Sequence, residues 1–134
     1  MRSRLGIGAL LAAVYESQTD SFKSIAKIGS GFSEENWIKL RKLLDQVKTA
    51  RRSARVDACL TPDVWIEPKY VITVLADEIT RSPMHTCSSD DQKSGLSLRF
   101  PRAIGFIRED KSPEDATTTD EIRKMYAMQK RKKI

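Results

Sequence analysis

Residues 96–111 read Leu-Ser-Leu-Arg-Phe-Pro-Arg-Ala-Ile-Gly-Phe-Ile-Arg-Glu-Asp-Lys, and they constrain this chain more than any other stretch. Apolar and polar side chains alternate, the period of a strand whose successive residues point to opposite faces. The same run carries fixed positive charge at Arg99, Arg102 and Arg108 and ends in Arg108-Glu109-Asp110-Lys111. A guanidinium is a planar fork that matches phosphate oxygens, and an ammonium adds a compact point charge. The expectation is a strand that delivers cations to one edge as a phosphate-handling surface. Residue types alone leave a solvated strand with ordinary surface charge as the alternative. Gly105 is expected to relieve a bulge in this strand.

The rest of the chain punctuates cleanly. Residues 5–15 are largely apolar and short of charge, as in a strand buried on both sides or set in a barrel wall. Residues 21–28 alternate, with Phe22, Ser24, Ala26 and Ile28 on one side and Lys23, Ile25 and Lys27 on a partly exposed other side. Gly29-Ser30-Gly31 reads as a tight turn rather than a phosphate-cradling loop, because the full glycine spacing is missing. Ser33 can cap a helix whose first turn holds Glu34 and Glu35 and whose apolar stripe is Trp37, Leu40, Leu44 and Val47. Trp37 is then a core anchor. Residues 48–55 hold Lys48, Arg51, Arg52 and Arg55 among small polar residues, an exposed basic loop that either touches phosphate or is simply solvated.

Pro62 and Pro68 bound an extended segment in which Trp65 is expected to seal the barrel end, with stacking on a base as the alternative. Residues 69–80 read as one long strand stopped by Pro83, residues 88–95 as a polar loop. Thr118 with Glu121 makes a capping box for a last helix on which Ile122, Met125, Tyr126 and Gln129 share a face. The terminal Lys130-Arg131-Lys132-Lys133 run reads as a solvated end by default, with a nuclear signal or a phosphate contact as the alternatives. His85 and Cys87 have no second pair to complete a tetrahedral site, so no metal is expected there.

Length and composition set the frame for these segments. A chain of 134 residues with 40% hydrophobic content suits one compact domain. No apolar run is long enough to span a bilayer, and no signal-peptidase site follows the early apolar stretch. A net charge of +6 favours a polyanionic partner. Cys59 and Cys87 are too few for a disulfide framework and read as free thiols in a reducing compartment.

Order and spacing within residues 96–111 resemble the last conserved nucleotidyltransferase motif of ATP-dependent DNA ligases, with its Arg-Phe-Pro-Arg opening and Arg-x-Asp-Lys close. Four further blocks resemble the same family in order. They are residues 4–15; Lys27-Ile28-Gly29-Ser30-Gly31-Phe32-Ser33; residues 62–68 with 74–83; and Asp110-Lys111-Ser112-Pro113-Glu114-Asp115-Ala116-Thr117-Thr118-Thr119. The form is most like archaeal and eukaryotic replicative ligases, and the blocks cover nearly the whole chain. RNA ligases and capping enzymes share the superfamily, but the Phe-Pro-Arg and Asp-Ala-Thr-Thr-Thr blocks favour a DNA ligase.

The resemblance implies a mainly β fold with two or three helices. This is an OB-fold, the small oligonucleotide-binding β-barrel, over residues 1–134, with 117–134 as C-terminal helix and basic tail. It implies that Arg102, Arg108 and Lys111 contact phosphate or pyrophosphate while a lysine elsewhere in the ligase is adenylylated by ATP, with Asp110 orienting a neighbouring base. It implies that Phe100 presses into the DNA minor groove beside a nick, braced by Arg99, while Arg51, Arg52 and Arg55 are further candidate DNA contacts. ATP and Mg2+ are implied for the full ligase, with none expected for this chain alone. The implied partners are nicked duplex DNA and the adenylation domain of the same ligase, with no membrane and a monomeric state. The location would be cytoplasmic in an archaeal or bacterial source and nuclear in a eukaryotic one. The nucleophilic Lys-x-Asp-Gly is missing, and Arg2-Ser3-Arg4 resembles ligase interior sequence straight after Met1, so a fragment or a truncated reading frame is expected. Position 103 is often aromatic and 106 often basic in relatives with this spacing; here they are Ala103 and Phe106, which leaves fewer cations near the leaving group. The rival from another class is a stand-alone nucleic-acid-binding module without ligase activity, which needs several exposed aromatics along a basic groove.

Overall fold

The computed structural model describes residues 8–88 and 95–132. The chain runs β1 (Leu10–Glu16), β2 (Ser21–Ile28), α1 (Glu34–Asp45), β3 (Lys48–Thr49), β4 (Val56–Asp57), β5 (Trp65–Ile66), β6 (Ile72–Leu75), β7 (Glu78–Ser82), β8 (Gly95–Arg99) and β9 (Arg102–Ile107). A 3-10 turn (Pro113–Asp115) and α2 (Thr119–Lys132) follow. Residues 5–7 of the expected first strand, 89–94 of the expected polar loop and the side chains of the terminal basic run lie outside the described residues. The domain is mainly β with two α-helices, consistent with a small OB-like domain.

Among the described residues the strands do not join into one closed barrel. They form four ladders: β1-β2-β4, β3-β5, β6-β9 and β7-β8. Loop backbone ties the ladders together, as where Cys87 N–H donates to the Ser24 carbonyl (3.0 Å) and Leu96 N–H to the Cys87 carbonyl (2.7 Å). Two local features interrupt the regular pairing. In β2 the register against β1 passes from Ala12 opposite Ala26 to Ala13 opposite Ser24, so Ile25 has no partner and bulges. That extra residue turns Ile25 inward, where it is buried beside Ser24 and Ala26 instead of lying on the exposed face that strict alternation gave it.

The second feature is a corner. The expected long strand 69–80 is two strands, β6 and β7, and the motif run is likewise split into β8 and β9. Leu75 faces Arg102 and Glu78 faces Arg99, so the register carries through the corner unchanged. Pro101 has no N–H to give to a ladder, and Phe100 takes a left-handed φ of 52°. Beyond the corner, Thr73 faces Ile104 but Ile72 faces Ile107, leaving Gly105 (φ 67°) and Phe106 as the bulge expected of that glycine.

The core gathers Val14, Ile25, Ala26, Ile28, Phe32, Trp37, Leu40, Ile79, Leu96, Ala103 and Ile122. Ser33 caps α1 by accepting from Asn36 N–H (3.1 Å), and Trp37 and Leu40 are buried as their spacing requires. Trp37 and Phe106 both meet Phe32 edge-on, at 5.1 and 5.9 Å. The turn before α1 makes an unusually close approach. Gly31 has φ 112°, and a Cβ there would stand 2.0 Å from the Ala103 carbonyl oxygen. Ser30 accepts from Ala103 N–H at 2.9 Å in the same contact.

At the other end, Thr118 caps α2 reciprocally with Glu121, the capping box read from the sequence. Ile122 is buried, and Gln129 reaches back to the free side of β7, accepting from Ile79 N–H (2.8 Å) and donating to its carbonyl (2.7 Å). Met125, expected on the packed face, is about half exposed. Among the described residues no helix is long and apolar enough to cross a membrane.

Two outcomes follow from this packing. Gly31→Ala must either abandon φ 112° or drive a methyl group into backbone, and should lower unfolding stability by about 2 kcal/mol or more. An unchanged urea midpoint would show that the turn does not sit against β9. The two thiols should also differ: Cys59 is exposed, whereas burial pushes the Cys87 thiol up to about 12. An alkylating reagent at pH 8 should label Cys59 rapidly and Cys87 only on unfolding, and equal rates would mean an open core.

Candidate functional site

The corner between β8 and β9 gathers three of the expected site residues. Phe100 is 62% exposed although large and apolar, and its left-handed backbone aims the ring outward. Such a φ is costly for a bulky side chain and persists only where the surroundings dictate it. Here they do. The Arg102 guanidinium donates to the Phe100 carbonyl (2.9 Å), and Asp77 N–H donates to the Arg99 carbonyl (2.9 Å). The Arg99 guanidinium lies 5.1 Å from the centre of the Phe100 ring, so it braces that ring directly.

Both corner arginines are answered by acids across the corner, Glu78 at the start of β7 and Asp77 in the bend before it. Arg99 pairs with Glu78 at 3.1 Å and Arg102 with Asp77 at 3.0 Å. These acids were missed by sequence reasoning, which had no register to set them opposite the arginines. Leu75 and Ile104 share the outer face of the β6-β9 ladder with Arg102 and are 50% and 40% exposed, so the aromatic sits on a mixed apolar and cationic surface.

Arg108, Asp110 and Lys111 follow β9. Arg108 N–H donates to the Val71 carbonyl (2.7 Å), which fixes the backbone where the motif leaves the sheet. The Arg108 guanidinium grips the Asp110 carboxylate through two bonds of 3.0 and 2.8 Å. That contact holds Asp110 below the usual carboxylate range and raises Arg108. Lys111 is exposed and has no hydrogen bond or ion pair among the described residues. With Arg108 it borders an open concavity of about 1320 Å³.

The basic loop divides. Arg51 and Arg52 are exposed, and Arg52 spans back to the Ala58 carbonyl (3.5 Å). Arg55 is turned inward: it pairs with Asp20 (2.8 Å) and Glu114 (2.7 Å) and lies 5.0 Å from the Phe22 ring centre. The segment is also less of a loop than expected, because Lys48–Thr49 pairs with Trp65–Ile66 as β3-β5 and Val56–Asp57 joins β2 as β4. Trp65 is half-buried there.

The two departures from the motif have a packing reason. Ala103 is 2% exposed, and its backbone lies against the Gly31 turn. Phe106 fills space against Phe32. What the motif loses in charge the core gains in contact. His85 and Cys87 are both buried, with His85 Nδ1 3.3 Å from Ser24 Oγ. Among the described residues no three His, Cys, Asp or Glu side chains gather in a way that could hold a metal ion.

Known proteins match this chain over nearly its whole length. A family model described as the ATP dependent DNA ligase C terminal region matches residues 3–111. The chain is 54% identical over 133 residues to a probable DNA ligase of Dictyoglomus thermophilum, which covers 99% of this chain and 23% of that protein. It is 51% identical over 130 residues to a DNA ligase of Saccharolobus solfataricus, covering 96% of this chain and 22% of that one. It thus spans less than a quarter of the length of these curated relatives. With the motif strand, its bulge and its terminal Arg-x-Asp-Lys all inside the matched region, the chain belongs to the family of ATP-dependent DNA ligase C-terminal regions.

Proposed function

We propose that this domain serves a nick-sealing DNA ligase in two ways, one at each end of β9. The observation that carries the reading is the Phe100 corner. An exposed aromatic held in a left-handed backbone, with two arginines at its base, is a wedge for a minor groove rather than a core residue. Arg99 and Arg102 then exchange their carboxylates for backbone phosphates of nicked duplex DNA, with Arg51 and Arg52 as further contacts. Phe100 is also the one exposed aromatic side chain among the described residues. That argues against a stand-alone single-strand platform, which stacks successive bases on several rings.

At the other end, Arg108 and Lys111 face the adenylation domain. An ammonium with no ion pair among the described residues suits the distal phosphates of ATP, which when bound supplies the adenylyl group and its pyrophosphate leaving group. Lys111 would offset the negative charge that gathers there, and Asp110 would hold the Arg108 fork in one orientation. Among the described residues no donor cluster gathers that would hold Mg2+. The chain contains no Lys-x-Asp-Gly, so the nucleophilic lysine belongs to another part of the ligase. The domain works as a monomer wherever chromosomal DNA is joined in replication, repair and recombination.

The isolated chain should bind duplex DNA weakly and without sequence preference. Each neutralised phosphate contributes a salt slope of roughly −0.9, so about four to six contacts give a steep fall in affinity as salt rises. A flat salt dependence would speak against a phosphate-tracking surface. In a complete ligase carrying this domain, Lys111→Ala or Arg108→Ala should slow lysine adenylylation by about 10²–10³, the usual loss for one positioned electrostatic donor. Sealing of a pre-adenylylated nick should suffer far less. Phe100→Asn keeps a residue type that tolerates the left-handed backbone and should do the reverse, sparing adenylylation and weakening nick engagement. Equal losses at both steps in all three variants would remove the proposed division of labour.

A further inference from the structure

Lys111 is a long side chain with no hydrogen bond or ion pair among the described residues, so where its ammonium stands depends on how firmly the backbone beneath it is held. The turn that follows it is closed on itself and fastened from outside. Ser112 N–H and Oγ both donate to the Asp115 carboxylate, at 3.2 and 2.9 Å. Tyr15 N–H donates to the Thr117 carbonyl (3.0 Å), and Arg55 Nη2 binds Glu114 Oε2 at 2.7 Å.

The Arg55 end of that fastening is itself anchored. The same Nη2 binds Asp20 Oδ1 at 2.8 Å, and Asp20 also accepts from the Tyr15 hydroxyl. Phe22, 4% exposed, lies under the guanidinium, and its N–H donates to the Arg55 carbonyl at 2.6 Å. A continuous line of contacts therefore leads from the core through Phe22 and Arg55 to Glu114, three residues beyond Lys111. Arg55 holds Glu114 below the usual carboxylate range, and Tyr15 and Arg55 do the same for Asp20, so the cluster stays ionised at neutral pH.

We propose that Arg55 is a positioning residue for Lys111, pinning the turn after the Arg-x-Asp-Lys run so that the ammonium meets the leaving phosphates in register. The inference rests on the reading of Lys111 given above. It also gives Arg55 a different task from that of Arg51 and Arg52: its charge is spent inside the domain, not on DNA.

The test uses a complete ligase carrying this domain, with Arg55→Met, Glu114→Gln and Lys111→Ala made singly and with each of the first two combined with the third. Arg55→Met and Glu114→Gln should each slow lysine adenylylation by roughly tenfold, since misplacing a reacting group by a fraction of an ångström already costs rate. Both should leave sealing of a pre-adenylylated nick unchanged. In the Lys111→Ala background neither should slow adenylylation further, a non-additivity that loss of general stability would not produce. Glu114→Gln sits on an exposed turn and keeps the test readable should Arg55→Met fail to fold. Full adenylylation rates in both Arg55→Met and Glu114→Gln, with Lys111→Ala slow, would overturn this inference alone; a full rate in Lys111→Ala would overturn the underlying reading as well. If Glu114→Gln tightens nick binding while Arg55→Met weakens it, Arg55 is a DNA contact and the proposal fails.

Discussion

Much of this domain hangs on two backbones touching. Gly31 and Ala103 come together so closely that no Cβ fits between them, and the Ala103 N–H finds its acceptor at Ser30 in the same contact. The contact brings the start of α1 onto β9, where Asn36 also donates to the Gly105 carbonyl (3.4 Å). It lets Phe32, Trp37 and Phe106 close over the core as one aromatic group. It also fixes the middle of β9, so the strand can present different chemistry at its two ends. The corner at Phe100 and the Arg-x-Asp-Lys exit are held apart by a segment that has little freedom to move.

The charge of the domain is less uniform than its total of +6 implies. Arg99, Arg102, Arg108 and Arg55 are all answered by carboxylates within the domain, while Lys111 and Arg51 make no ion pair among the described residues. Exposed pairs of this kind contribute little to stability. Their effect is geometric: each holds a guanidinium in one orientation.

Many local signals in the sequence were faithful where the structure is local, though Met125 on α2 and Val47 beyond α1 depart from their helical spacing. The caps at Ser33 and Thr118, the extent of β2, the glycine turn and the Gly105 bulge all depend on residues a few positions apart, and all could be read. What could not be read is whatever depends on pairing across the chain. The bulge at Ile25 arises from its register with Ala12 and Ala13, and alternation by itself placed that residue on the wrong face. The corner that divides both the 69–80 and 96–107 runs needs each strand to bend opposite the other. The acids facing Arg99 and Arg102 became visible only once that register was known, and Arg55 looked like its neighbours until Asp20 and Glu114, distant in sequence, were found beside it.

The amide of Gln129 gives the last helix an unexpected part in the sheet. By offering one donor and one acceptor to Ile79, it does for β7 what a neighbouring strand would do. An open strand edge is a template for another chain, and here a single side chain, delivered by a helix, occupies it. A domain cut short before α2 would therefore lose more than a packed helix. It would leave the outer N–H and carbonyl of Ile79 open to pairing with another strand.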